Sequence, residues 1–143
     1  MQELSKGQDA VLVFWKAFGI FNEGGVTEAI RELSRVQDRR EVAFAAALAL
    51  IYYHERCRHV DQEAIDTFVL QMEDREESAS DRDLMCAATF LWHTQQLKRA
   101  GQIVQKLIDS GANIAIQAQT IKGWIYLSSA KEELQMKSLQ FFE

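Results

Sequence analysis

Apolar residues recur at helical spacing along most of the chain, and polar stretches separate them. One such stretch has apolar residues at steps of three, one, three and three, the spacing of one helix face: Val26, Ala29, Ile30, Leu33 and Val36. Residues 42–53 are almost wholly apolar, which is typical of a helix buried on every side. The chain is therefore predicted to be all-α, with short polar connections.

The predicted helices form pairs, and each pair carries one small residue in its first helix and another in its second. The small pairs are Ala17/Ala29, Ala49/Ala64, Ala88/Ala100 and Gly123/Ser138. Successive pairs are roughly 35 residues apart, close to the ~34-residue period of tetratricopeptide repeats. We therefore expect a right-handed solenoid of tetratricopeptide-type helical hairpins. It would form one domain over residues 1–143, with repeats at about 8–38, 41–72, 81–109 and 114–143, the last one truncated.

Connections and helix starts follow from turn and capping residues. Gly24 and Gly25 predict the first turn, and Thr27 is the expected N-cap of the next helix. The second small pair is three residues wider than the first, which indicates an insertion near residues 56–60 and a helix starting at Asp61. Residues 73–83 carry six acidic and two basic residues and are expected to form a solvated connection. Ser80 or Asp81 would cap the helix that follows it.

Composition excludes several classes of protein. The net charge is −5, whereas a nucleic-acid-binding domain carries an excess of basic residues, so this class is not expected. The apolar runs at 10–21 and 43–53 are shorter than the ~20 residues of a membrane span, and the N-terminal residues do not resemble a secretory signal. We expect an intracellular protein without membrane insertion. Cys57 and Cys86 form no CxxC pair and are expected to be unreactive buried thiols.

Catalytic and metal-binding patterns are nearly absent. His54, Cys57 and His59 offer three possible zinc ligands, but the paired half-sites typical of structural zinc are missing. These residues are better interpreted as a helix C-terminus, where positive side chains interact favourably with the helix dipole. There is no glycine-rich phosphate loop and no nucleophile elbow. We expect no enzyme activity, no cofactor and no metal.

A solenoid of this kind binds partners with the first helices of its hairpins. The faces of these helices not used for stacking carry a set of aromatic side chains that would line an apolar groove for a peptide or helix: Phe14, Phe18, Phe21, Tyr53, Trp92 and Trp124. The alternative is that these rings pack between helices. The basic clamp with which co-chaperones bind a terminal carboxylate is missing from the corresponding positions.

Several short segments resemble one known family when taken in order. They are VFWKAFGIFNEGGVTEAIREL (13–33), LALIYYH (48–54), DQEAI (61–65), FLWH (90–93) and KGW (122–124). Together they resemble the N-terminal region of the large tetratricopeptide subunit of intraflagellar transport complex A. The resemblance covers nearly the whole chain, and the order and spacing of the segments carry it. It indicates that this chain is a fragment of a much longer array.

The resemblance implies a non-catalytic scaffold that supports retrograde ciliary transport and the entry of membrane-protein cargo into the cilium. The implied partners are the WD-repeat and small subunits of complex A, and the implied location is the cytoplasm, cilium and basal body. The alternative is an unrelated intracellular tetratricopeptide adaptor that binds an apolar peptide or helix in its concave groove.

Overall fold

The computed structural model describes residues 6–110, 120–128 and 130–131, and all regular structure in these ranges is helical. Six helices occupy the first range: α1 (Lys6–Asn22), α2 (Val26–Ser34), α3 (Ala43–Glu55), α4 (Gln62–Ser78), α5 (Asp81–His93) and α6 (Leu97–Asp109). A further helix, α7, covers residues 120–128. The chain divides into two compact units, residues 1–87 and residues 88–143. The predicted all-α fold is confirmed.

In the first unit, α1 and α2 pack as a hairpin, α3 and α4 pack as a second, and α2 also contacts α3. The small residues of the first predicted pair, Ala17 and Ala29, are fully buried, and Leu33 lies beside them in the core. Gly24 occupies the turn with φ +97°, a conformation that strains any residue with a Cβ atom. The expected N-cap Thr27 is wrong: α2 begins at Val26 after Gly25, and no side chain caps it.

Helix α3 is buried on nearly all sides, as its apolar run predicts. Its members from Phe44 to Leu50 are all buried, and so is Tyr53. Such a helix has no polar face on which to satisfy the free N–H groups of its first turn, and its N-cap residue, Val42, has no side chain that can accept a hydrogen bond. The free donors of α3 therefore need acceptors from elsewhere in the fold.

Helix α4 begins where expected and ends later than expected. Asp61 is its N-cap, with the side chain accepting a hydrogen bond from Ala64 N–H at 3.1 Å. The expected solvated connection over residues 73–83 is wrong, because α4 continues to Ser78 and α5 starts at Asp81. Acidic residues are compatible with helix, and the high charge of this stretch places an exposed face outward without ending the helix.

The end of that acidic stretch supplies the missing acceptors for α3. Phe44 N–H donates to Asp83 Oδ2 at 2.8 Å, and Ala45 N–H donates to Asp83 Oδ1 at 2.9 Å. Asp83 is fully buried, and its own N–H donates to Ser80 Oγ at 3.2 Å, which makes Ser80 the cap of α5. The first residues of α5 therefore close the N-terminus of α3, and we call this contact the Asp83 junction.

Arg75, near the end of α4, contacts the segment that leads into α3. Its Nη1 donates to the carbonyl oxygens of Gln37 and Ala43, each at 3.1 Å, and its Nη2 pairs with Asp38 Oδ1 at 3.3 Å. The guanidinium is mostly buried, whereas the Asp38 side chain is exposed. Arg75 thus holds the chain that enters α3 by two carbonyl oxygens, and the pairing with Asp38 contributes less because water screens it.

In the second unit, α6 is amphipathic. Its inward face consists of Leu97, Ala100, Ile103, Val104 and Leu107, all buried. Both members of the third predicted small pair, Ala88 and Ala100, are fully buried. The fourth predicted repeat lies partly outside the described residues, which include Gly123 but not Ser138. The division of the whole chain into four repeats remains a prediction.

Candidate protein-interaction surface

Phe14 and Tyr53 were expected in a partner-binding groove, and the structure places both in the core of the first unit. Neither side chain has any exposed area. Each lies on the inward face of an apolar helix, where burial of a large ring stabilises the fold and leaves no surface for a partner. These two residues are corrected from groove residues to core residues.

Phe18 and Phe21 are half-buried members of ring clusters in the same unit. Phe21 stacks on Tyr53 with a centroid distance of 4.6 Å and meets Tyr52 edge-on at 5.5 Å. Phe18 meets Trp15 edge-on at 5.7 Å. The cluster around Phe21 joins α1 to α3, so Phe21 contributes to packing between helices and exposes only part of its ring.

Trp92 and Trp124 are brought together in the second unit. Their rings stack with centroids 6.4 Å apart, and Trp92 Nε1 donates to Ser128 Oγ at 3.3 Å. Trp92, on α5, is half-buried, whereas Trp124, on α7, is 52% exposed. The hydrogen bond and the stack hold an amphipathic ring pair in one orientation, and rigid tryptophans of this kind are frequent anchors in protein interfaces.

Two further residues of α7 extend this apolar surface, and the sequence interpretation did not assign them to it. Tyr126 is 76% exposed and Leu127 is 61% exposed, whereas Ile125 between Trp124 and Tyr126 is buried. The available signal was the run of four large apolar residues at 124–127, since a helix buried on one face cannot hide four consecutive side chains. We call Trp92, Trp124, Tyr126 and Leu127 the tryptophan surface.

The residues considered for metal binding are placed differently from a metal site. The His54 ring stacks on Phe68 with centroids 5.9 Å apart, and Cys57 is half-buried. In the described ranges, no group of three His, Cys, Asp or Glu side chains is arranged to hold an ion. Cys86 is buried, and that burial raises the pKa of its thiol, which disfavours the reactive thiolate.

The most perturbed carboxyl group, that of Asp83, has a structural environment. Burial raises its pKa to about 6, while the N–H groups of Ala45 and Phe44 and the charge of Arg75 act in the opposite direction. Both carboxyl oxygens accept hydrogen bonds from α3. A carboxyl group occupied in this way serves as a cap.

No helix among the described residues is long and apolar enough to cross a membrane.

Comparisons with known proteins agree with the helical-repeat fold. A family model described as "Tetratricopeptide repeat protein 21 N-terminal ARM repeat" matches residues 1–143. Tetratricopeptide repeat protein 21B of Xenopus laevis is 33% identical over 135 residues, which cover 94% of this chain and 10% of the relative. The human protein of the same name is 30% identical over 137 residues, covering 96% and 10%. Human tetratricopeptide repeat protein 21A is 28% identical over 135 residues, covering 94% and 10%.

The chain thus spans 10% of the length of these relatives. The match covers every residue from 1 to 143, including the ranges that lie outside the described structure. The chain is therefore not unrelated to this family, and binding of an apolar peptide or helix in a concave groove stays a prediction. The chain belongs to the family of tetratricopeptide repeat protein 21 N-terminal ARM repeats.

Proposed function

We propose that this chain is a non-catalytic interaction segment of a larger helical-repeat scaffold in intraflagellar transport complex A. In this role it would support retrograde ciliary transport and the entry of cargo into the cilium. Its direct partners would be WD-repeat or small subunits of the same complex, met in the cytoplasm, at the basal body and in the cilium. The tryptophan surface would be one place of contact.

The observation that carries the proposal is the exposed tryptophan surface, since most other large rings among the described residues are buried or half-buried. Trp124, Tyr126 and Leu127 are each more than half exposed, although burying a side chain of this kind is favourable by about 1.5–3 kcal/mol. An exposed apolar group of this composition typically marks a protein–protein contact. Hence a binding role accounts for residues that the described part of the second unit leaves uncovered.

The choice of complex A rests on two further supports. The ordered segments from residue 13 to residue 124 resemble the N-terminal region of its large tetratricopeptide subunit. The family match over the entire chain supports a repeat scaffold of the same type. The polar chemistry of the described residues also favours binding over catalysis, since its most perturbed carboxyl, Asp83, is committed to the α3 N-terminus.

The test is affinity purification of the tagged full-length parent protein from ciliated cells, followed by quantitative mass spectrometry. We expect the WD-repeat and small subunits of complex A in stoichiometric amounts. A double variant, Trp124→Ala with Leu127→Ala, should lower the recovery of at least one of them, because the exposed apolar contact is removed.

Glu28→Gln serves as the matched control, since Glu28 is exposed on α2 in the other unit. It should leave recovery unchanged. Purification of a different stoichiometric partner, without any complex A subunit, would overturn the proposed function and favour a role as an adaptor in another assembly.

A further inference from the structure

The outward side of α4 presents one large apolar side chain among carboxylates. Leu70 lies in the middle of this helix and is 78% exposed, whereas Ile65 faces the core. Since successive residues of a helix are rotated by roughly 100°, five acidic residues lie within about 60° of Leu70 around the helix axis. All five are exposed: Glu63, Asp66, Glu73, Asp74 and Glu77. We call Leu70 and these five residues the acidic face of α4.

The acidic face has no counter-charge in the described structure. Helix α4 carries six acidic residues and one arginine, a net charge of −5, which equals the net charge of the whole chain. The arginine, Arg75, is turned inward, where it binds the carbonyl oxygens of Gln37 and Ala43. None of the five carboxylates forms an ion pair with a described basic side chain. The negative charge of this chain is therefore concentrated on one side of one helix.

This arrangement is unfavourable for α4 by itself. Glu73 and Glu77 are four residues apart on one side of the helix, a spacing at which like charges repel. Glu73, Asp74 and Glu77 also lie in the last two turns, where carboxylates interact unfavourably with the negative end of the helix dipole. A partner that brings positive charge to this face would relieve both effects, and it would bind more tightly for that reason.

The same protein does not supply that partner. In a helical-repeat array each unit contacts only its neighbours, and further repeats add at the ends. The hairpins before and after α3–α4 in sequence, α1–α2 and α5–α6, are both described, and Leu70 is exposed nonetheless. The segments outside the described residues contain one basic residue, Lys137, and four glutamates. These segments therefore cannot neutralise five carboxylates.

We propose that the acidic face of α4 binds a basic amphipathic α-helix of a separate protein. Apolar side chains of that helix contact Leu70 and the adjoining Val69, which is 44% exposed, and lysines or arginines on both sides pair with the carboxylates. The carboxylates recur every three to four residues over about 21 Å, which matches the side-chain spacing along roughly four turns of a second helix. This inference goes beyond the proposed function, because it depends neither on the tryptophan surface nor on complex A.

The test measures fluorescence anisotropy of a labelled synthetic helical peptide, with leucines at i, i+3 and i+7 and lysines on both flanks, titrated with the full-length parent protein. We expect binding that weakens as the ionic strength rises from about 0.05 to about 0.5 M. The double variant Glu73→Gln with Glu77→Gln should bind roughly threefold to tenfold more weakly, because two ion pairs are lost. Leu70→Ala should bind roughly fivefold to tenfold more weakly, because the apolar contact is reduced.

Two controls separate a specific site from general attraction between opposite charges. The double variant Glu23→Gln with Glu28→Gln makes the same change in net charge on exposed residues of the first hairpin, and it should bind as wild type does. A peptide of the same composition, with its leucines scattered around the helix, should bind wild type at least about tenfold more weakly, since it cannot place an apolar side chain on Leu70.

Three results would overturn the inference. One is absence of peptide binding to the wild-type protein at the lowest ionic strength, and another is equal binding by the two double variants or by the two peptides. The third is a marked drop in melting temperature for Leu70→Ala, since the protein itself would then cover this side chain. Recovery of complex A subunits from cells tests the proposed function separately, so failure of one leaves the other standing.

Discussion

Asp83 shows how a single side chain connects two helices that are separate in sequence. Its carboxyl group accepts two hydrogen bonds from the first turn of α3, although it belongs to α5. This turn has N–H donors without partners inside the helix, and a negative group there also interacts favourably with the helix dipole. The apolar run that buries α3 on every side leaves it dependent on a cap from another helix.

Removal of this cap should lower the free energy of unfolding. In Asp83→Ala, the buried N–H groups of Phe44 and Ala45 lose their acceptor, and we expect a loss of about 2 kcal/mol or more in the free energy of unfolding. Ser80→Ala removes only the cap of α5 and should lose about 1 kcal/mol. Urea denaturation of both variants measures the difference. Equal losses would mean that Asp83 contributes no more than an ordinary cap.

The stability of the protein should also depend on pH through Asp83. Its folded pKa, about 6, is above the ordinary value of 3.8 because the carboxyl is buried. The folded state therefore holds the proton more tightly than the unfolded state, and the contribution of this group is largest below the ordinary value and is lost as pH rises through about 6. The stability of wild type relative to Asp83→Asn should fall between about pH 4 and about pH 6.5 in denaturation experiments at constant ionic strength. A difference that rises with pH would show that the folded pKa is lowered.

At the scale of the helices, periodicity predicted much of the fold, because it reports which face is buried. The starts of α4 and α5 and the burial of α3 follow from local signals: Asp61, Ser80 and the apolar run at 42–53. The extension of α4 to Ser78 did not follow. A charged stretch is equally compatible with a loop and with an exposed helical face. Which of the two forms depends on contacts of Arg75 with residues almost forty positions away.

The candidate site was predicted only in part for a related reason. Helical spacing identifies apolar faces, but it cannot say which of them another helix will cover. Phe14 and Tyr53 are covered within the first unit, whereas Trp124 is open. Tyr126 was missed as a surface residue because helical spacing by itself does not distinguish a buried ring from an exposed one.

The turn between α1 and α2 provides a prediction at this scale. Gly24→Ala should destabilise the protein by about 1 kcal/mol, because φ +97° is unfavourable for a residue with a Cβ atom. Gly19→Ala, five residues earlier in α1, should stabilise it by about 0.5–1 kcal/mol, since its φ is helical and its Cβ position is open. Thermal melting of the two variants should give shifts of opposite sign. Shifts of the same sign would contradict the assignment of residue 19 to a helix and residue 24 to the turn.

At the scale of the whole molecule, the large aromatic residues that the structure describes have two distinct roles: packing, as for Phe14 and Phe90, and exposure on α7. Phe14→Ala should lower the free energy of unfolding by about 3–5 kcal/mol, because it removes a fully buried ring and leaves a cavity. Trp124→Ala should change it by less than about 1 kcal/mol, since half of that ring already contacts water. Chemical denaturation followed by circular dichroism measures both. A large loss for Trp124→Ala would assign that ring to the core.

The Asp83 junction also limits how repeats of this protein can be rearranged. A repeat array is expected to gain or lose units readily, because each unit contacts only its neighbours. The second hairpin, α3 and α4, depends on a carboxylate that lies in the next predicted repeat, so cutting the chain at residue 79 removes the cap of a helix that begins at Ala43. Duplication or exchange of this hairpin would preserve its stability only if the segment up to Asp83 moved with it. The segment that must be duplicated or exchanged together is therefore longer than one structural repeat.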